Sequence, residues 1–173
     1  MKALKYFFVL AVILIAGCGK DDVMLEGNRG RGRDNVEVKR ANVPIPIKVD
    51  CWAVYHDHLP GRLIVGGTGS HFGKINPEES FYQFTGMEPD LDEDDEECMR
   101  LWGFGKMVGA NGDGMEFTFV TYQYADRSFT SKGIITPGTG TGKFKGTTGS
   151  FEVYGGGDDT ALWFKGSGYL IYE

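Results

Sequence analysis

The sequence predicts an all-β fold, an antiparallel β-barrel of about eight strands, from three observations. Glycine contributes 27 of 173 residues, roughly twice its average share of about 7%, which is too much for long helices. Aromatic residues make up 13% of the chain, enough to build a core. Apolar and polar residues alternate in short runs between glycine-rich turns, as in antiparallel strands. At this length we expect one folded domain.

The glycine-rich segment 136–157 is the clearest of these regions. Each interior glycine costs a helix about 1 kcal/mol relative to alanine, so extended chain and tight turns are expected there. We predict that Gly142 and Gly146 bracket a turn with positive φ that buries Phe144 in the core. The alternation of Phe151 and Val153 with polar neighbours predicts a strand over 150–154.

The N-terminus has the features of an export signal. Lysines precede an apolar run over 6–16, which is shorter than the roughly 20 residues of a membrane-spanning helix and typical of a signal peptide. The run ends in Leu14-Ile-Ala-Gly-Cys18, which resembles the lipobox of bacterial lipoproteins. The resemblance implies that residues 1–17 are removed and that acylated Cys18 anchors the protein to the bacterial outer membrane, facing the periplasm or the cell surface. A plain signal peptide with an incidental cysteine is the alternative.

Residues 18–43 are predicted to be a flexible tether that precedes a barrel domain over 44–173. The tether begins Gly19-Lys-Asp-Asp22, which is similar to the export tag of surface-displayed lipoproteins in some Gram-negative bacteria. Basic residues, glycines and acids then follow without apolar periodicity, as in a solvated spacer. Binding of anionic lipid headgroups or polysaccharide by the basic residues is the alternative role.

The strands of the domain are predicted from alternation and from turn residues. The first has apolar residues at every second position from Ile45 to Tyr55. The strands that follow are predicted over 62–68, 78–85, 99–105, 115–121 and 129–135. Asn111-Gly-Asp-Gly114 is a hairpin signal. After the strand over 150–154, residues 161–165 and 168–172 form a last pair of strands or one long bent strand.

Several local patterns are similar to ligand sites but lack residues that those sites need. Gly73-Lys74 and the segment 138–143 lack the spacing and the Ser or Thr of a phosphate-binding loop. His56-Asp-His58 is better explained as a surface turn than as a metal site. The acidic run over 88–97 lacks the spacing of an EF-hand and is interpreted as a solvated loop, with weak binding of a divalent cation as the alternative. No metal and no cofactor is predicted, and the net charge of −6 argues against a nucleic-acid partner.

Two cysteines remain once Cys18 is assigned to the anchor. The environment beyond the inner membrane is oxidising. We therefore predict a disulfide between Cys51 in the first strand and Cys98 at the end of the acidic run. Two buried thiols are the alternative.

Three motifs occur in one order along the domain: GGTGSHFGK at 66–74, ANGD at 110–113 and GTGKFKGTTGSFEVYG at 140–155, with GSGYL near the end. Together they resemble a group of bacterial secreted proteins with an allene oxide cyclase-like, dirigent-like barrel of the calycin type. That family has alanine where this chain has Thr147. The resemblance implies a closed eight-stranded barrel that is either filled by side chains or holds one small ligand. No catalytic residue of the plant cyclases is matched in this chain.

The sequence is compatible with functions of three classes. The first is a lipid-anchored, non-enzymatic barrel that binds a small apolar ligand or a surface partner. Its candidate cavity residues are Trp52, Trp102, Tyr122 and Trp163, for each of which core packing is the alternative role. The second is an isomerase or cyclase that acts inside the barrel, which needs a buried acid or histidine with a perturbed pKa. The third is a structural or adhesive surface protein. The sequence gives no signal for the oligomeric state.

Overall fold

The computed structural model describes residues 43–92, 94 and 96–172. The described strands are β1 Ile45–Tyr55, β2 Arg62–Gly69, β3 Gly73–Ile75, β4 Phe81–Leu91, β5 Glu97–Val108, β6 Gly114–Gln123, β7 Phe129–Ile135, β8 Thr147–Gly157 and β9 Ala161–Tyr172. A 3-10 turn over Gly142–Phe144 precedes β8. In this part of the chain, no helix has the length and apolar character to cross a membrane. The predicted signal peptide, Cys18 and the tether up to residue 42 lie outside the described residues.

Eight strands close into an antiparallel barrel, which confirms the predicted fold class. The strand order is β1-β9-β8-β7-β6-β5-β4-β2, and β2 pairs with β1 to complete the ring. The ninth strand, β3, pairs with the end of β2 beside β4. Closure gives every barrel strand two neighbours, so its backbone groups are paired within the sheet.

Alternation along each strand separates the core from the outer surface. On β1, for example, Ile47, Val49, Cys51 and Ala53 are buried, whereas the residues between them face outward. Every barrel strand contributes buried apolar side chains to one cluster, which β3 and the 3-10 turn complete. The core is therefore the interior of the barrel.

Several strands are longer than the sequence predicted, and one was not predicted. β4 continues through Leu91 and β5 begins at Glu97, so much of the acidic run predicted as a loop is a hairpin. Its acidic side chains contact a cation on the neighbouring strand: Arg100 lies 3.1 Å from Glu88 and 3.9 Å from Asp90. β9 is one continuous strand, which is the second of the two predicted alternatives, and the short strand β3 was not predicted.

The structure contradicts the predicted disulfide, because Cys51 and Cys98 are free thiols. Cys51 points into the barrel from β1, whereas Cys98 alternates with the inward residues of β5 and shares the outer face with Arg100 and Trp102. Two strands, β2 and β4, lie between β1 and β5 in the ring. Three strand spacings of about 4.8 Å each exceed the roughly 7 Å that a disulfide spans between Cα atoms.

Candidate functional site

One end of the barrel is closed by two aromatic rings. Phe144 is fully buried and stacks on Phe72 with the ring centroids 4.6 Å apart. Gly142 and Gly146 flank this ring at φ values of 55° and 72°, the left-handed region that favours glycine. The predicted turn and the predicted burial of Phe144 are therefore confirmed. We call this the closed end; the hairpins β1–β2, β4–β5, β6–β7 and β8–β9 turn at the opposite end.

The middle of the barrel is filled by Tyr82 of β4. Its ring makes edge-to-face contacts with Phe117, Phe119 and Phe164, at centroid distances of 5.3, 5.2 and 5.8 Å. Its hydroxyl is buried and has no hydrogen-bond partner in the described residues. Burial raises the pKa of this hydroxyl above its usual range, and the nearby Cys51 thiol adds to that effect. The Cys51 pKa is itself raised to about 12, first by burial and then by Asp50.

Between Tyr82 and the opposite end lies a cavity of about 380 Å³. It exists because the inward residues become smaller in this direction: Ala53 follows Cys51 on β1, and Thr121 follows Phe119 on β6. The wall is formed by Ala53, Tyr55, Gly61, Leu63, Tyr82, Phe84, Met87, Met99, Leu101, Phe119, Thr121, Gln123, Phe129, Ser131, Val153, Leu162 and Phe164. Tyr55 and Met87 are half or more exposed, which places the mouth at the end opposite the 3-10 turn.

The polar groups of the cavity are few and uncharged. The Thr121 hydroxyl donates to Ser131 Oγ at 2.8 Å, and the Ser131 hydroxyl donates to the Val120 carbonyl at 3.1 Å. Gln123 lies near the mouth. None of the wall residues is an Asp, Glu, His, Lys or Arg. The wall thus offers apolar contact and hydrogen bonding, and no ion-pair partner inside.

Carboxylates lie in the chain segments around the mouth, and hydrogen bonds lower the pKa of several of them. The amide of Glu96 donates to Asp92, and the Tyr124 hydroxyl donates to the same carboxylate at 2.9 Å; these bonds lower the pKa of Asp92. The pKa values of Asp126 and Asp158 are lowered in the same way, mainly by the hydroxyls of Ser128 and Thr160. The described residues contain no group of three or more metal-ligating side chains.

The four aromatic residues predicted to line a cavity do not line it. Trp52, Trp102, Tyr122 and Trp163 all alternate with inward residues of their strands and lie on the outer face. The Trp52 ring covers Gly66 of β2, and the Trp102 ring covers Gly86 of β4. Trp52 and Trp163 are directly opposite each other in the β1–β9 pair and are both exposed.

The alternation of residues along the strands could have identified the residues that form the cavity wall. Trp52 follows Cys51 and precedes Ala53, so the alternation that predicted β1 already placed it with Lys48 and Asp50 on the polar face. The cavity residues were predicted from their aromatic character, although the strand alternation places Trp52 on the outer face. Ser131 and Thr121 occupy inward-facing positions of their strands. Because they are small and polar, their residue type did not indicate that they line a cavity.

Comparison of the chain with protein-family models, with curated proteins and with solved structures found no match. The fold class therefore rests on the strand order and closure of this structure. The resemblance to allene oxide cyclase-like proteins stays a prediction from the motifs at 66–74, 110–113 and 140–155. The cavity is therefore the feature of this fold that bears on function.

Proposed function

We propose that the protein binds one small apolar molecule in the open-ended cavity of its barrel, at a bacterial outer membrane to which acylated Cys18 anchors it. The observation that carries this proposal is the cavity of about 380 Å³ with its mainly apolar, uncharged wall. Ligand pockets typically have about 300–1,000 Å³ and a few polar groups among apolar ones. An eight-stranded barrel is just wide enough to hold one small ligand.

Binding is favoured over catalysis by the chemistry of the wall. A cyclase or isomerase moves protons with a group whose pKa is near the working pH. The ionisable wall residues are Tyr55 and Tyr82, and burial raises the pKa of Tyr82 further from neutrality. Glu116 of β6 and Glu152 of β8 are exposed on the outer surface.

Filling the cavity should abolish ligand binding. Leu101 lies in the wall between Met87 of β4 and Thr121 of β6. We expect Leu101→Trp to weaken the binding of the neutral fluorescent probe N-phenylnaphthylamine at least tenfold, about 1.4 kcal/mol, because the indole occupies the space that the probe needs. Fluorescence titration of the purified protein measures the effect.

The matched control for this variant is Ile134→Trp. Ile134 is an aliphatic residue on β7 with 64% of its surface exposed, so the added indole lies outside the barrel and the affinity should stay within twofold. Equal loss in both variants, or no loss in either, would place the probe outside the cavity and contradict the proposal.

The anchor is tested separately. Cys18→Ala removes the thiol that would be acylated, and with it the acyl chains that would hold the protein on the membrane. We expect this variant to leave the membrane fraction, whereas Cys51→Ala, which changes a barrel thiol, should remain in it. Immunoblots of fractionated cells show the distribution; retention of Cys18→Ala with its signal peptide cleaved would refute lipidation at this cysteine.

A further inference from the structure

Carboxylates stand on two opposite sides of the cavity mouth. On one side the wall continues at Met99 into a shallow recess that also contains Asp90 and Glu97. On the other side, at the β8–β9 hairpin, a second recess shares Tyr55, Gln123 and Leu162 with the cavity. It contains Asp158 and Asp159 together with Arg127, which pairs with Asp159. These two hairpins are half a turn of the ring apart. A head group at the mouth would therefore have acids on both sides.

The charge around this end is strongly negative. The described carboxylates in and beside its four hairpin turns are Asp57, Asp90, Asp92, Asp94, Glu96, Glu97, Asp126, Asp158 and Asp159. The arginines there are engaged: Arg62 lies 3.7 Å over the Phe81 ring, Arg100 contacts Glu88 at 3.1 Å and Arg127 contacts Asp159 at 3.1 Å. The imidazoles of His56 and His58 are in the β1–β2 turn. Such a surplus of carboxylates attracts cations and repels anions within a Debye length, about 10 Å at 0.1 M salt.

The interior of the cavity cannot hold a charge. Its wall has no ionic partner, and burying an unpaired ion in an apolar site is very costly. Neutral polar groups are tolerated, however, because the Thr121–Ser131 pair lies in the wall. The interior therefore accepts an uncharged molecular body and leaves a charged head group outside.

We infer that the cavity takes a cationic amphiphile, whose alkyl body lies inside the barrel and whose positive head stays at the mouth between the two acidic recesses. The inference rests on the proposed function, since it specifies the ligand class of the same cavity. It follows from the separation of chemistry in one continuous site, apolar inside and acidic outside. The corresponding anionic amphiphile is disfavoured at the mouth although its tail fits equally well.

Three ligands with the same tail separate the contributions: decanol, decyltrimethylammonium and decanoate. Their affinities for the purified chain are measured at pH 8 by displacement of N-phenylnaphthylamine, at 10 mM and at 300 mM salt. We expect decyltrimethylammonium to bind at least tenfold more tightly than decanoate at low salt. The ratio should fall severalfold at high salt, where the Debye length is much shorter.

A pair of double variants locates the charge effect. Glu97→Gln with Asp159→Asn removes two exposed carboxylates at the mouth, and should weaken decyltrimethylammonium binding at low salt two- to tenfold while leaving decanol unchanged. Glu78→Gln with Glu116→Gln removes two exposed carboxylates near the closed end and should leave all three affinities unchanged. The net charge changes equally in both, so a difference reports position.

The experiments give different outcomes if the preference for a cationic head group is wrong and if ligand binding in the cavity is wrong. If decanol binds and the three ligands have equal affinities, or if both double variants behave alike, the charge preference is wrong and the apolar cavity stands. If decanol does not displace the probe, or displaces it equally well in Leu101→Trp, ligand binding inside the barrel is wrong, and the inference falls with it.

Discussion

Phe144 connects the 3-10 turn to the barrel core through one ring. The ring is fully buried and stacks on Phe72, so a smaller residue at this position leaves a cavity in the core. Phe144→Ala should lower the free energy of unfolding by about 3–5 kcal/mol. Equilibrium denaturation measures this loss.

Tyr154→Ala is the control for that substitution, because Tyr154 is an aromatic residue with 65% of its surface exposed. A change within about 0.5 kcal/mol is expected for it, as for most surface substitutions. If Phe144→Ala costs no more than Tyr154→Ala, the ring does not belong to the core and the segment around it is a surface loop.

Thr147 shows what the motif does and does not determine. The proteins that the motif at 140–155 resembles have alanine at this position, and the structure buries Thr147 completely with its hydroxyl unpartnered. The motif therefore identifies a small, buried position at the start of β8. The hydroxyl is a departure that the fold tolerates, and neither the motif nor the alternation of β8 indicates a role for it.

At the scale of elements, two hairpins at the mouth are held by the same short pattern. Asp126 Oδ1 accepts hydrogen bonds from the amide and hydroxyl of Ser128, at 2.8 and 2.6 Å. Asp158 Oδ1 accepts the same bonds from Thr160, at 2.8 and 2.6 Å. Hydrogen bonds to the ionised form lower the pKa of a carboxyl group. The bonds therefore stabilise these turns fully at pH values above the pKa of the unfolded state, near 4. This stabilisation is lost as the pH falls through the lower pKa of the folded state.

Removing one donor should raise the carboxyl pKa that it holds down. In Thr160→Val the hydroxyl bond to Asp158 is lost, and that bond is the main cause of the lowered pKa of this residue. We expect the Asp158 pKa to rise towards its usual value, measured by carboxyl NMR titration, and the hairpin to depend less on pH below 4. Ser128→Ala is the matched control and should shift Asp126 instead; an unmoved Asp158 in Thr160→Val would contradict the assignment.

The strands could be predicted wherever one face is apolar and the other polar, as on β1 from Ile45 to Tyr55. Prediction failed where composition concealed the pattern. β4 enters the acidic run and continues to Leu91 because Glu88 and Asp90 are balanced by Arg100 on the next strand, a partner that local sequence does not reveal. The disulfide prediction was wrong for a related reason. Two cysteines can meet only if their side chains lie on the same face of the sheet and their strands are close together in the ring.

At the scale of the whole barrel, the existence of a cavity could not be predicted. It depends on small residues from different strands, such as Ala53, Thr121 and Ser131, reaching the same level of the ring. That level is set by the registers of all eight pairings and by closure of β1 on β2. The sequence predicted a closed barrel that is filled or holds one ligand, and only the assembled ring distinguishes these.

The ring has one short seam, and it borders the cavity. β2 and β4 are joined by three residue pairs, Arg62–Gln83, Leu63–Tyr82 and Ile64–Phe81, and two further backbone hydrogen bonds flank these pairs, from Val65 to Ser80 and from Phe84 to Gly61. β8 and β9, by contrast, share eleven pairs. Leu63 and Tyr82 both belong to the cavity wall. Local opening is easiest where few backbone hydrogen bonds must break together, so the barrel should open first at this seam, beside the proposed ligand.

Hydrogen exchange tests this. Amides over 62–64 and 81–83 should exchange faster than those of β8 and β9, and saturating decanol should slow them more than any other strand pair. The reason is that a molecule in the cavity would contact Leu63 and Tyr82 in the closed ring and would lose both contacts when the seam opens, so its binding would stabilise the closed state by mass action. In Leu101→Trp, decanol should leave exchange at the seam unchanged. Equal slowing of all strands would show that the barrel opens only by global unfolding, and slowing confined to the outer face would place decanol outside the cavity.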